Sequence, residues 1–157
     1  MPKIPKSVSL NLSMVLSALF LAVCTVGLFV LPMLTGVLIK MHDSVGTYGG
    51  ISESEKIIIL ILAYFLLGTF IFADVILFTI LHRVKIGKVF TPITVSLIRG
   101  VSYCCFIVGL LFAILGIYFI LAFPVAFAAI LLGLSLRVVK NVMEEATEIK
   151  NENELTV

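Results

Sequence analysis

The chain has 157 residues, 61% of them hydrophobic and 13% charged, with a mean hydropathy of +1.25; a soluble domain is about half apolar and about a quarter charged. That balance excludes an ordinary water-soluble domain, and a net charge of +2 is too small to argue for direct nucleic-acid binding. The composition predicts an all-α integral membrane protein whose first partner is the lipid bilayer.

Four segments reach the roughly 20 apolar residues that a membrane-crossing helix needs. The first is predicted at 8–39, uncharged throughout and longer than a span requires, so it should tilt, or kink near Pro32, where one backbone donor is missing. Lys3 and Lys6 before an apolar run, with LAVC closing at Cys24, also resemble a secretion signal with a lipobox. Bulky Val23 and an apolar run continuing to Ile39 argue against that reading. The segment KMHDSVGTYGGISESEK reads as an exterior Gly-rich turn, in which His42 and Asp43 are too few for a defined metal site.

The second span is predicted at 57–81, announced by Ser52 and Glu55 at capping-box spacing. No acid, Lys, Arg or His lies between Arg99 and Arg137, a run nearly twice as long as one crossing. It must fold back, within IYFILAFP, where Pro124 suits the first turn of a new helix and Tyr118 an interface. The third and fourth spans are therefore expected at 99–118 and 122–139. In FTP, Thr91 reads as the N-cap of the third helix, with Pro92 at its first position. After Arg137, the residues Val139, Val142 or Met143, Ala146 and Ile149 recur at helical spacing and predict an amphipathic extension of the fourth helix as a tail over 140–157. Its helix should end near Asn151 and Asn153.

The Lys and Arg residues alternate between connecting segments. Two sit before the first span, four over Arg83 to Arg99 and three from Arg137 onward, against Lys40 and Lys56 alone in the first loop. This bias predicts a multi-pass protein of the cell membrane with both termini cytoplasmic.

No phosphate-binding glycine loop, His-Glu-x-x-His or paired carboxylates occur, so no enzymatic activity, cofactor or metal is expected. Cys24, Cys104 and Cys105 fall inside spans without metal-ligand spacing and read as packing residues. Gly109 and Gly116, seven residues apart, share a helical face suited to close helix contact.

One acid lies inside a span. Asp74 stands in FIFADVILF about 12 Å from the basic boundary at His82, near mid-membrane. Its own face holds Phe70, Ile71, Leu77, Phe78 and Leu81, none a hydrogen-bonding side chain, so its partner must come from another helix or from water. Ser13 and Ser17 on the first helix, Ser102 and Tyr103 on the third, and Arg99 are the candidates. Asp74 then serves either as an interhelical clamp or as the proton or cation site of a small transporter, channel subunit or immunity-type protein. The absence of a second ionisable group at its depth favours the clamp.

VFTPITVSLIRGVS, from Val89 to Ser102, resembles the phrase Phe-Thr-x-Glu-Asn-Val-(basic)-x-Leu-Arg-x-Ile of a family of small four-helix bacterial membrane proteins. Phe90, Thr91, Val95 and Arg99 follow it, while Ile93 and Thr94 stand where Glu and Asn are usual. The closing KNENELTV resembles that family's ending, through Glu152, Asn153, Glu154, Leu155, Thr156 and Val157, with Glu154 in place of Asp. The family is a domain of unknown function that includes YoaS-like proteins. The resemblance implies a four-span bundle over essentially the whole chain and no established activity. Family members often lie beside a Cro/C1-type helix-turn-helix regulator, which implies a regulatory or interaction role with that cytosolic partner. Arg83, Lys85, Lys88 and the closing ENELTV are the expected contact surfaces, and a homo-oligomer is a further expectation.

Overall fold

The structure, a computed structural model, describes residues 6–45 and 50–155, with the side chains of 6, 7, 45 and 153–155 left aside. The expected tail contacts through the side chains of Asn153, Glu154 and Leu155, and through Thr156 and Val157, lie outside the described residues. Four helices follow one another: α1 (Lys6–Val45), α2 (Glu53–Lys85), α3 (Pro92–Leu115) and α4 (Ala122–Leu155). Each contains a stretch long and apolar enough to cross a membrane.

The local start signals act as their chemistry dictates. Ser52 caps α2 in a reciprocal capping box: its hydroxyl accepts from the Glu55 amide at 3.4 Å, and the Glu55 carboxylate accepts from the Ser52 amide at 2.7 Å. Thr91 caps α3, with Pro92 at the first helical position. The third helix thus begins seven residues before the expected span at 99, and it ends at Leu115 because the chain turns at Gly116–Leu121. A Cβ at Gly116 would lie 2.9 Å from the Phe123 ring, so the turn closes around a residue without a side chain. The expected loop from Lys40 is shortened, since α1 continues to Val45. The expected extension of the fourth helix is continuous with it: α4 runs unbroken past Asn151 and Asn153, where its end was expected, to Leu155.

Between α2 and α3, the Lys88 amide bonds to the Arg83 carbonyl at 2.9 Å and the Gly87 amide to the Val84 carbonyl at 3.1 Å. With Gly87 at φ 76°, this is the paired-bond C-cap that requires a left-handed residue just past the helix.

Among the described residues the expected four helices pack as an open row. α1 packs on α2, α2 on α3 and α3 on α4, while α1 and α4 do not meet. The half-buried and buried positions of α1 recur at three-to-four spacing through Leu10, Met14, Ser17, Leu21, Cys24, Leu31 and Thr35, the stripe that an antiparallel neighbour covers. On α4 the buried stripe is built of small residues: Ala122, Ala126, Ala129 and Gly133. Facing it, a Cβ at Gly109 would lie 2.7 Å from Ile130 Cγ1 and 3.3 Å from the Ala126 carbonyl. Gly109 and Gly116 both face α4 because only bare backbone fits at that distance. One apolar cluster, Leu66, Val108 and Ala129, joins α2, α3 and α4.

Pro32 sits inside α1 without ending it. A residue in the next turn normally donates its amide to the carbonyl four positions earlier, and Pro32 has no amide to give Leu28. The Tyr64 hydroxyl of α2 donates to that Leu28 carbonyl at 3.3 Å, so a neighbouring helix supplies the missing donor.

Two outcomes follow from this packing. Gly109→Val should separate α3 from α4 and lower stability by about 1–3 kcal/mol, read as a lower melting temperature in detergent. Tyr64→Phe should cost about 1 kcal/mol in the native sequence and less in a Pro32→Ala background, where an amide again reaches Leu28; a double-mutant cycle by thermal unfolding measures the coupling.

Candidate functional site

Ser17 on α1 donates its hydroxyl to Asp74 Oδ1 on α2 at 2.8 Å. Both residues are 5% exposed. The carboxyl therefore points at α1, where Ser17 lies on the inward stripe. Ser13 is one turn off that line; it is exposed and bonds to its own helix, at the Ser9 carbonyl.

The other candidates share the level of Asp74 but not its side of α2. A Cβ on Gly100 would lie 3.3 Å from Ile76, and in antiparallel helices that register sets Ser102 beside Asp74. Ser102 turns away and donates to the Gly133 carbonyl of α4 at 2.8 Å. Tyr103 is half-exposed. Arg99 pairs with Glu144 of α4 at 3.4 Å. Of the candidate partners, Ser17 is brought to Asp74, whereas Ser102, Tyr103 and Arg99 are not, because among the described residues α3 makes no close approach to α1 and a group facing α1 is out of reach from α3. Along α2, about 26 Å separates Ile57 from Asp74 and about 11 Å separates Asp74 from Leu81.

Among the described residues no buried side-chain nitrogen or oxygen lacks a hydrogen-bond partner. A serine hydroxyl can donate to either form of a carboxyl group, so Ser17 can hold Asp74 neutral or ionised.

The basic loop is tied down by Thr94, whose side chain is the most deeply buried, at 1% exposure. Its hydroxyl donates to the Lys88 carbonyl at 3.0 Å and accepts from Arg83 Nε at 3.2 Å, while a second guanidinium nitrogen reaches Thr91 at 3.3 Å. Arg83 is thus half-buried and committed within the protein; Lys85 and Lys88 stay exposed. On α4, Glu152 is exposed at the end of the tail. At the opposite end, His42 meets the Phe119 ring edge-on at 5.4 Å, whereas Asp43 accepts from the Ile51 amide at 3.3 Å. Among the described residues no group of three His, Cys, Asp or Glu side chains could hold a metal ion.

Sequence reasoning missed three features. Tyr64 could have been found from Pro32, since a proline inside a span frees a carbonyl that a donor on a neighbouring span can take. Glu144 was in view as the i+4 partner of Lys140, with which it pairs. Thr94 left no signal, because its burial depends on how the loop folds back.

The model of a protein family described as "Protein of unknown function (DUF2975)" matches residues 4–157. The chain belongs to this family. In this DUF2975 member the Phe90-Thr91 pair marks the entry to a helix, since Thr91 caps α3 and Val95, one turn on, is 4% exposed. No curated protein and no solved structure matches the chain.

The clamp geometry sets an order for three variants. Asp74→Asn keeps an acceptor for Ser17 and should melt within a few degrees of the native protein. Ser17→Ala should cost about 0.6–1.7 kcal/mol, the range for one interhelical hydrogen bond in a membrane. Asp74→Leu should destabilise the α1–α2 pair at least as much as Ser17→Ala. Differential scanning fluorimetry in detergent reads the order, and an Asp74→Leu protein as stable as the native one would rule the clamp out.

Proposed function

We propose that this chain is a non-enzymatic, multi-pass component of the cell membrane, with both termini in the cytoplasm, that engages a cytosolic partner through the extension of α4. The supporting observation is an apolar stripe on the wrong side of that helix. The buried stripe of α4 continues through Leu136, Lys140, Met143 and Thr147, all buried or half-buried. Of the expected apolar face, Met143 and Ala146 are half-buried, whereas Val139, Val142 and Ile149 are exposed. Val138, Val142 and Ile149 line up on the side opposite the seam, each more than half exposed. Beyond the charged belt of Arg137 and Lys140, such a stripe leaves apolar area in water, which marks an interaction surface.

The root of the extension is fixed by the Arg99–Glu144–Lys140 cluster, so the stripe is presented on a rigid element. The resemblance to proteins encoded beside helix-turn-helix regulators supports such a regulator as the partner. The transport reading has less support: Asp74 has one hydroxyl partner and lines neither of the two cavities beside α3.

Val142→Glu with Ile149→Glu, like removal of residues 152–157, should abolish co-purification with a helix-turn-helix regulator encoded beside this chain while far-UV helicity stays unchanged. Asp74→Asn should leave co-purification intact. An ion-driven activity lost in Asp74→Asn and kept after the tail truncation would replace this reading with a transporter.

A further inference from the structure

Two cavities flank α3 and share Tyr103. The first is a polar recess of about 360 Å³ lined by Arg99, Ser102, Tyr103, Arg137, Lys140 and Asn141. Three cations meet one carboxylate there, that of Glu144, which pairs with Arg99 and Lys140. Arg137 is exposed and has no anionic partner among the described residues. The recess therefore keeps excess positive charge at the end of the apolar stretch, with a guanidinium free to grip a phosphate by two parallel hydrogen bonds.

The second cavity is an open, almost wholly apolar groove of about 600 Å³ between α2 and α3, where Tyr64, Phe65, Gly68, Phe72, Tyr103 and Ile107 face outward. Gly68 and Gly100 line it too, and nothing lies within 4 Å of where a Gly68 Cβ would stand. The groove descends from the recess away from the basic end, since Tyr103 borders both and Ile107 lies one turn further along α3. A cationic recess at the apolar boundary, adjoining an apolar channel across Tyr103, has the shape of one amphiphile.

We propose that the recess and groove together bind an anionic glycerophospholipid, its phosphate held by Arg99, Arg137 and Lys140 and one acyl chain laid between α2 and α3 past Tyr103. Ser102, Tyr103 and Asn141 supply neutral hydrogen-bonding groups for the glycerol and ester oxygens. A free phosphate would satisfy the recess but leave the groove unexplained, so the lipid is the occupant that uses both. Basic pockets between membrane helices suit such head groups because opposite charges meet where water is scarce.

The test uses the full chain in mild detergent, titrated with phosphatidylglycerol, with phosphatidylcholine of the same acyl chains, and with inorganic phosphate. Lipid retention is read by native mass spectrometry and stabilisation by melting temperature. Phosphatidylglycerol should bind about tenfold more tightly than phosphatidylcholine, and Arg137→Gln should remove about tenfold of that affinity, the scale of one hydrogen bond to a charged group. Because Arg137 has no ion pair within the described protein, the unliganded melting temperature should not change. Gly68→Leu, whose Cβ has open space around it and whose side chain takes up room in the groove, should weaken phosphatidylglycerol and leave inorganic phosphate unaffected. Equal retention of the two lipids, or Arg137→Gln binding phosphatidylglycerol like the native chain, would overturn the proposal. So would inorganic phosphate binding as tightly as phosphatidylglycerol with Gly68→Leu silent, which would reduce the site to one for free anions.

Discussion

A polar group facing hydrocarbon has no water to turn to, and an unsatisfied one costs several kcal/mol. Three interhelical hydrogen bonds answer this constraint: Ser17 to Asp74, Tyr64 to the Leu28 carbonyl, and Ser102 to the Gly133 carbonyl. The first two fasten α1 to α2 and the third fastens α3 to α4, so the chain is organised as two hairpins. In each hairpin the helix seam is built of residues that either reach across or stay out of the way. Glycine and alanine bring α3 and α4 close enough for Ser102 to span the gap.

The junction between the hairpins is made differently. At the basic end, Arg83 bridges Thr91 and Thr94 and folds the loop over its own helix end. Deeper in, α2 and α3 meet through Leu66 and Val108, and the apolar groove lies along their junction. In water an open row with α1 and α4 apart would be unstable, since so much apolar area stays uncovered. In lipid that exposure carries little cost, and closure of the row is not required. The same reasoning separates the membrane stretch of α4 from its extension: exposed valines are ordinary among acyl chains, whereas Val142 and Ile149 lie beyond the lysine and arginine belt.

The Arg99–Glu144–Lys140 cluster links the two proposed surfaces. It holds the root of the α4 extension against α3 and also shapes the recess in which Arg137 is left free. An anion bound there would compete with Glu144 for Arg99 and Lys140. Lipid charge and the seating of the extension would therefore act on the same side chains.

The number of helices, their approximate limits and the capping of α2 and α3 were legible in the sequence, because each follows from local chemistry: apolar run length, a Ser or Thr before the helix, a proline at its start. So was the need of Asp74 for a partner, since its own helical face offers none. Which hydroxyl it takes was not legible. Ser17, Ser102 and Tyr103 lie at comparable depth, and depth is all that counting residues supplies. Only the order of helices in the row, with α2 between α1 and α3, assigns Asp74 to Ser17, Ser102 to Gly133 and Arg99 to Glu144. That order rests on seam packing between residues far apart in the chain, which no local pattern encodes.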